Sequence, residues 1–130
     1  MIHDKRINSQ QGNELLSKVR VIANQFPEVT EAVDKFGHTS FRVKDKPFIM
    51  MGENEDGASL AIKTLKTTQQ LLLEQTDRYV KTRYIGQHGW TSFYTNKKLN
   101  WNEIEDYIQE AYLQTAPKKL SKEVLEALQK

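Results

Sequence analysis

Residues 39–44, Thr39-Ser40-Phe41-Arg42-Val43-Lys44, alternate polar with bulky apolar side chains. Successive side chains of a β-strand point to opposite faces of a sheet. We therefore expect Phe41 and Val43 to face a core and the polar side chains to share the other face. This alternation predicts a strand with one buried and one solvated face.

Similar signals follow directly along the chain. They comprise a turn at Lys44-Asp45-Lys46-Pro47, a short apolar strand at 48–51, an acidic loop at 52–57 that ends in Asp56-Gly57, and an alternating strand at 58–63. Proline cannot donate to a central ladder, so Pro47 is expected in the turn, and Asp-Gly is a hairpin signal. The pattern predicts an antiparallel meander of about three strands. Residues 32–36 are a candidate fourth strand, and 80–85 and 90–95 are predicted strands further on.

Helical periodicity flanks these strands. An apolar stripe from Leu15 to Phe26 predicts a first helix that is capped by Asn8 or Ser9 and ends before Pro27. Thr67, Asn100 and Ser121 are expected to cap three later helices, and Glu103 completes a capping box with Asn100. The order is therefore helix, strands, helix, strands, helix, helix. It predicts a two-layer α+β fold, an antiparallel β-sheet with helices packed on one face.

Size and composition narrow the class of protein. The chain of 130 residues, 38% hydrophobic and 28% charged, predicts a single domain (1–130), and its last predicted helix occupies 121–130. No apolar run reaches the roughly 18 residues of a membrane span, and residues 1–6 lack the pattern of a secretory signal. The absence of cysteine excludes disulfides and thiolate sites. These features predict a cytoplasmic protein without a membrane partner.

The net charge of +2 conceals an uneven distribution. Residues 78–98 carry five basic and no acidic side chains, and residues 58–73 add Lys63 and Lys66, again without an acid. The acids lie instead in 53–56 and in the helix that follows Asn100. Local fields of this kind, more than net charge, steer charged partners. Simple solvation of exposed strand faces by these lysines is the alternative.

Five segments together resemble a known family. They are Pro27-Glu28-Val29, Gly37-His38-Thr39-Ser40-Phe41-Arg42-Val43, Ile62-Lys63-Thr64, Gly89-Trp90 and Ala116-Pro117-Lys118-Lys119-Leu120. Their order from about Leu15 to Leu120 is similar to that of the MmcQ/YjbR family. The resemblance implies an α+β fold related to CyaY-like and secretion-chaperone-like proteins. It also implies a double-wing DNA-binding surface, as described for some members.

Signals for catalysis are absent from the sequence. Neither His38 nor His88 belongs to a local metal-binding motif, and there is no nucleophile elbow, thiol or P-loop. No catalytic residue, metal or cofactor is therefore predicted. His38 is expected to act as a hydrogen-bonded structural residue beside its strand. Trp90 is expected in the core, with stacking on a ligand as the alternative.

The leading functional hypothesis is weak, largely non-specific DNA binding without catalysis, because arginine and lysine at strand ends can neutralise phosphates. One wing would be the hairpin at 41–50 and the other the strands flanking 86–98. The predicted phosphate contacts are Arg42, Lys44, Lys46, Lys63, Arg83, Lys97 and Lys98. The first alternative is a protein-interaction module that binds a partner segment or a second copy on its sheet face. The second is a small-molecule binder or enzyme with a pocket between His38, Trp90 and the Lys63-Thr64 strand end.

Overall fold

A computed structural model describes residues 5–130; residues 1–4, the start of the N-terminal stretch considered above, lie outside it. Residues 5–130 form four α-helices, six strands and one 3-10 turn. In chain order they are α1 (Gln10–Ala23), β1 (Val29–Val33), β2 (Thr39–Val43), β3 (Lys46–Asn54), β4 (Gly57–Lys63), α2 (Lys66–Leu72), β5 (Tyr79–Lys81), the 3-10 turn Gly86–His88, β6 (Trp90–Phe93), α3 (Trp101–Thr115) and α4 (Lys118–Leu128).

The six strands form one antiparallel sheet in the order β1-β2-β3-β4-β6-β5. Helices α1 and α3 contact the sheet, and α4 packs on α3. In-register partners such as Phe41, Ile49 and Ile62 are fully buried on the face beneath these helices. We call this the inner face and the other the outer face. The predicted two-layer α+β fold with helices on one face is confirmed.

Helix α1 is joined to the sheet at its first turn. Ser9 is the N-cap, as one of the two predicted candidates, and its Oγ accepts a hydrogen bond from the Gly12 N–H at 2.9 Å. The same Oγ donates to Glu53 Oε1 at the end of β3, at 2.7 Å. A Cβ at position 12 would collide with that carboxylate, so a larger residue there would displace the Glu53 side chain. The helix ends at Ala23, earlier than Pro27 alone predicted.

A β-bulge interrupts the pairing of β2 with β3. Phe41 pairs with Ile49 while Arg42 pairs with Pro47, so Phe48 is the extra residue on β3. Phe48 and Ile49 are consequently both fully buried although they are adjacent in sequence. The expectation that Pro47 lies in the turn is wrong. It lies within β3, but before Ile49, where pairing with β4 begins, so no ladder bond to β4 requires its missing N–H.

Tyr112 of α3 holds three parts of the core together. Its ring stacks on Phe26 at a centroid distance of 4.8 Å and meets Phe48 edge-on at 5.6 Å. Its hydroxyl donates to the Pro27 carbonyl at 2.8 Å. Burial, with smaller contributions from Glu28 and Glu123, raises the pKa of Tyr112 to about 12. The phenol therefore stays protonated, and keeps its hydrogen bond, well above the usual tyrosine range.

We predict that Tyr112→Phe lowers the free energy of unfolding by about 1 kcal/mol, the usual worth of one buried hydrogen bond. Tyr112→Ala should cost about 3–5 kcal/mol, because it also leaves a cavity. A raised native pKa means that the stabilisation is complete below pH 10 and is lost as pH rises toward 12. Urea unfolding at neutral and alkaline pH tests this, with exposed Tyr94→Phe as control. Equal alkaline destabilisation of wild type and Tyr112→Phe would contradict it.

Candidate functional site

The direction of the strands brings most of the predicted phosphate contacts to one end of the sheet. Strands β2, β4 and β5 end there, and strands β3 and β6 begin there. We call this the basic end. It carries Arg42, Lys44, Lys46, Lys63 and Arg83. Lys97 and Lys98 follow β6 and therefore lie at the opposite end.

Arg42 and Lys63 share the outer face at the basic end. They lie on β2 and β4 with only β3 between them, which corresponds to a separation of about 10 Å. The Arg42 guanidinium is held by bonds that it donates to Ser40 Oγ at 2.9 Å and to the Asp45 carbonyl at 3.0 Å. An arginine fixed in this way offers its remaining N–H groups in a defined direction. Lys63 is half-buried and has no ion-pair partner among residues 5–130.

The β2–β3 turn carries a mixture of charges. Lys44 and Asp45 form a two-residue turn in which both have positive φ, 48° and 68°. The Lys44 ammonium pairs with Glu28 at 2.6 Å, so its charge is largely compensated. Lys46 is exposed and, within the part of the chain that the structure describes, is not ion-paired. The turn therefore contributes one unpaired cation from Lys46 beside the anion at Asp45.

The connection between β5 and β6, residues 82–89, forms the second projection at the basic end. Strand β5 is shorter than the predicted 80–85, because the chain leaves the ladder after Lys81. Gln69 of α2, only 6% exposed, anchors this connection. Its Nε2 donates to the carbonyl of Gly86 within the connection at 3.0 Å and to the carbonyl of Trp90 at the start of β6 at 2.8 Å. Gly89 has φ 97°, and a Cβ there would collide with the Thr64 carbonyl.

Sequence analysis did not identify Gln69 as an anchor of this connection, since nothing local separates it from Gln70. It also left Lys66 out of the predicted contacts. Lys66 is exposed at the start of α2, three residues after Lys63, and its place in the acid-free stretch 58–73 was the available signal. Lys66 therefore also belongs to the basic end.

His38 and Trp90 do not come together. Trp90 pairs with Lys63 at the basic end and is 5% exposed. It is buried, but it lies on the outer face with Lys63 and outside the hydrophobic core beneath the helices, where the sequence had placed it. His38 lies at the opposite end, where its ring faces the backbone of Gly52. The ring Nδ1 of His38 lies 3.3 Å from Asp34 Oδ2, and the backbone N–H of His38 donates to Asp34 Oδ1 at 3.0 Å. This arrangement agrees with the predicted structural role in the turn before β2.

The opposite end of the sheet has a different electrostatic character. It carries the acidic β3–β4 turn at Glu55 and Asp56. Lys97 donates to the Asp77 carbonyl at 2.8 Å and lies 3.8 Å from the Asp77 carboxylate. Together with Lys98 it borders a groove of about 640 Å³ between α1, the β3–β4 turn and the start of α3. Lys97 and Lys98 thus lie near acids and apart from the other predicted contacts.

Two kinds of feature are absent from the described residues. In residues 5–130, no helix has the length and apolar character needed to cross a bilayer. The same residues contain no group of three or more His, Asp and Glu side chains that could hold a metal ion.

The YjbR family model matches residues 24–114, which include β1 through β6 and nearly all of α3. The chain belongs to the YjbR family. Its fold is similar to that in the crystal structure of the Deinococcus radiodurans protein DR2400, whose family-model domain is DUF419. The TM-score is 0.71 at 14% identity, over 83% of this chain and 86% of that chain. No curated protein matches the chain.

Gln69→Ala tests how the β5–β6 connection of this YjbR-family chain is held. We expect the free energy of unfolding to fall by about 1–2 kcal/mol, since two buried hydrogen bonds are lost. Amide hydrogens of residues 82–89 should exchange faster with solvent, as measured by hydrogen–deuterium exchange. Exposed Gln70→Ala is the matched control and should leave both quantities unchanged. Unaltered exchange in the connection would show that other contacts hold it.

Proposed function

We propose that this YjbR-family protein binds DNA through phosphate contacts at the basic end of its sheet, without catalysis. The observation that carries the proposal is topological. The β2–β3 turn and the β5–β6 connection project from the same end, and Lys63 lies between them at the end of β4. This arrangement fits the double-wing surface that the family resemblance implies.

The spacing of the two projections supports a duplex as ligand. The β2–β3 hairpin and the β6–β5 pair are three strand positions apart, so their centres are separated by about 14 Å. This is close to the width of the major groove of B-DNA, about 12 Å. Two such projections could follow the phosphates on either side of a groove.

The proposed contacts are taken from the sequence-predicted set at the basic end. Lys46, Lys63 and Arg83 have no acidic partner in the part of the chain that is described, and Arg42 is a preoriented donor. Lys44 contributes less because Glu28 compensates its charge. Lys97 and Lys98 stay outside the proposed surface. Contacts made mainly to phosphates position a protein on DNA but carry little sequence information. Binding should therefore be weak and largely independent of sequence.

Fluorescence anisotropy of a labelled duplex tests this proposal. Four phosphate contacts should make the affinity fall roughly 100-fold between about 50 and 200 mM salt. The variant Lys46→Gln/Lys63→Gln/Arg83→Gln should bind more weakly. Its slope of log affinity against log salt should be shallower by about 0.9 for each contact removed.

A matched variant removes the same charge from the opposite end: Lys35→Gln/Lys97→Gln/Lys98→Gln. It changes the net charge equally, so a purely non-specific effect of charge would weaken both variants alike. Equal loss in the two variants, or affinity that does not change with salt, would count against the basic end as the binding surface. No binding at the lower salt concentration would refute DNA binding.

A second candidate function is protein binding on the outer face of the sheet. The central row of this face crosses all six strands without a charged side chain: Ala32, Ser40, Met50, Ala61, Ser92 and Val80. The helices that contact the sheet lie on the inner face. Within the row Ala32 and Val80 are exposed, Met50 and Ser92 are half-buried, and Ser40 and Ala61 are buried among their neighbours. An uncharged row across a sheet suits contact with a second copy or a partner segment.

Self-association through this row predicts that Val80→Asp weakens dimer formation, because Val80 is 41% exposed in the single chain and the substitution would bury a carboxylate in the interface. Sedimentation velocity over a range of protein concentrations measures this. Gln70→Asp, an exposed substitution away from the row, is the control. A chain that remains monomeric at every concentration would exclude the second copy as the partner.

A further inference from the structure

Tyr84 occupies an unusual position in the β5–β6 connection. It is 86% exposed, the largest exposure among the large hydrophobic side chains of the described residues. Its backbone has φ 70°, in the left-handed region that side chains other than glycine rarely adopt. The chain therefore holds a bulky aromatic residue in a strained conformation and turns its ring to solvent. Neither packing nor burial of the ring offsets that strain.

The surrounding contacts impose this conformation. The Ile85 N–H donates to the Arg83 carbonyl at 2.8 Å, directly across Tyr84. On either side, Thr82 bonds to β6 through its N–H and its hydroxyl, and Gln69 holds Gly86. Strained residues persist where their surroundings determine them, and such positions cluster at binding and active sites. The backbone of the connection is thus anchored on both sides of Tyr84.

The ring of Tyr84 is also free of partners within residues 5–130. The other described exposed aromatics are less accessible: Phe36 is 50% exposed with Lys35 Nζ 5.2 Å from its ring centroid, and Tyr94 is 40% exposed. No hydrogen bond, ring contact or cation–π contact among the described residues involves the Tyr84 side chain. Arg83 precedes it, exposed, and Lys63 lies at the same end of the sheet.

We propose that Tyr84 is a stacking platform for an unpaired nucleobase. The inference rests on the proposed DNA binding and adds single-stranded or locally unpaired nucleotides to the ligands of the basic end. In an intact duplex both faces of each base are covered by its neighbours, so a protein aromatic ring can stack only on a base that has left the stack. An exposed aromatic ring near basic side chains is the combination that binds single strands with little sequence preference.

The inference predicts a difference between two DNA probes. Tyr84→Ala should lose roughly 5- to 150-fold in affinity for a labelled single-stranded oligonucleotide, the range for one stacked base. Its affinity for a fully paired duplex of the same sequence should change less than about twofold, because no base face is available there. Tyr84→Phe should bind both probes like wild type, since stacking uses the ring and not the hydroxyl. Anisotropy at low salt measures all of these affinities.

Tyr84→Gly supplies a test that a merely structural role would fail. Glycine adopts positive φ without strain, so this variant should unfold at an equal or higher denaturant concentration while it loses single-strand affinity as Tyr84→Ala does. Tyr94→Ala, which removes an exposed tyrosine at the opposite end, is the control and should bind like wild type. Loss of binding with retained stability excludes misfolding as its cause.

The outcomes separate this inference from the proposed function. Salt-dependent duplex binding together with a single-strand affinity that Tyr84→Ala leaves unchanged overturns the stacking role alone, and points to a protein contact for the ring. Equal losses on both probes also overturn it, because they indicate a general contact instead of stacking. Absence of binding to either probe at low salt overturns both the stacking role and DNA binding.

Discussion

The β-bulge at Phe48 is the local constraint on which much of this structure depends. It turns two adjacent side chains, Phe48 and Ile49, into the core, and Phe48 thereby reaches Tyr112 of α3. Tyr112 in turn packs on Phe26 and bonds to Pro27, which fixes the segment between α1 and β1. The bulge also sets how β3 continues toward the β2–β3 turn, where Arg42 pairs with Pro47. The same bulge therefore determines how Phe48 packs in the core and which residue Arg42 pairs with beside the β2–β3 turn.

Antiparallel pairing then determines which side chains can act together. Successive hairpin turns of a meander alternate between the two ends of a sheet, so the β1–β2 and β3–β4 turns lie at one end and the β2–β3 turn at the other. Because β6 pairs with β4 in the antiparallel sense, the β5–β6 connection returns to the end where Lys63 lies. The acids of the β3–β4 turn are left at the opposite end. A nearly neutral chain in this way acquires a polarised surface.

Local sequence signals predicted the secondary structure well where no tertiary contact competed with them. The alternation around Phe41, the Asp56-Gly57 hairpin and the Asn100 cap all correspond to observed elements. Ser40, expected on a solvated face, is buried, and the Glu103 carboxylate bonds to Arg78 and Tyr79. Caps were less predictable when tertiary partners competed for the side chain. Ser121 was expected to cap the last helix, but its hydroxyl donates to the Leu113 carbonyl, and α4 begins at Lys118. Thr67 was expected to cap α2, but the N-cap is Leu65, two residues earlier, and no side chain caps the helix.

By itself the sequence determined the α+β class, the number of layers, the buried stripes and the residue types available for binding phosphate, because periodicity and propensity act over neighbouring residues. The tertiary structure alone decided which of those residues meet. Strand direction gathered Arg42, Lys63 and Arg83 at one end and separated His38 from Trp90. It also placed Gln69 beneath residues 82–89, a contact over 17 and 21 sequence positions that no local pattern encodes. Register and connection order create such proximities, and both arise only when the whole sheet has formed.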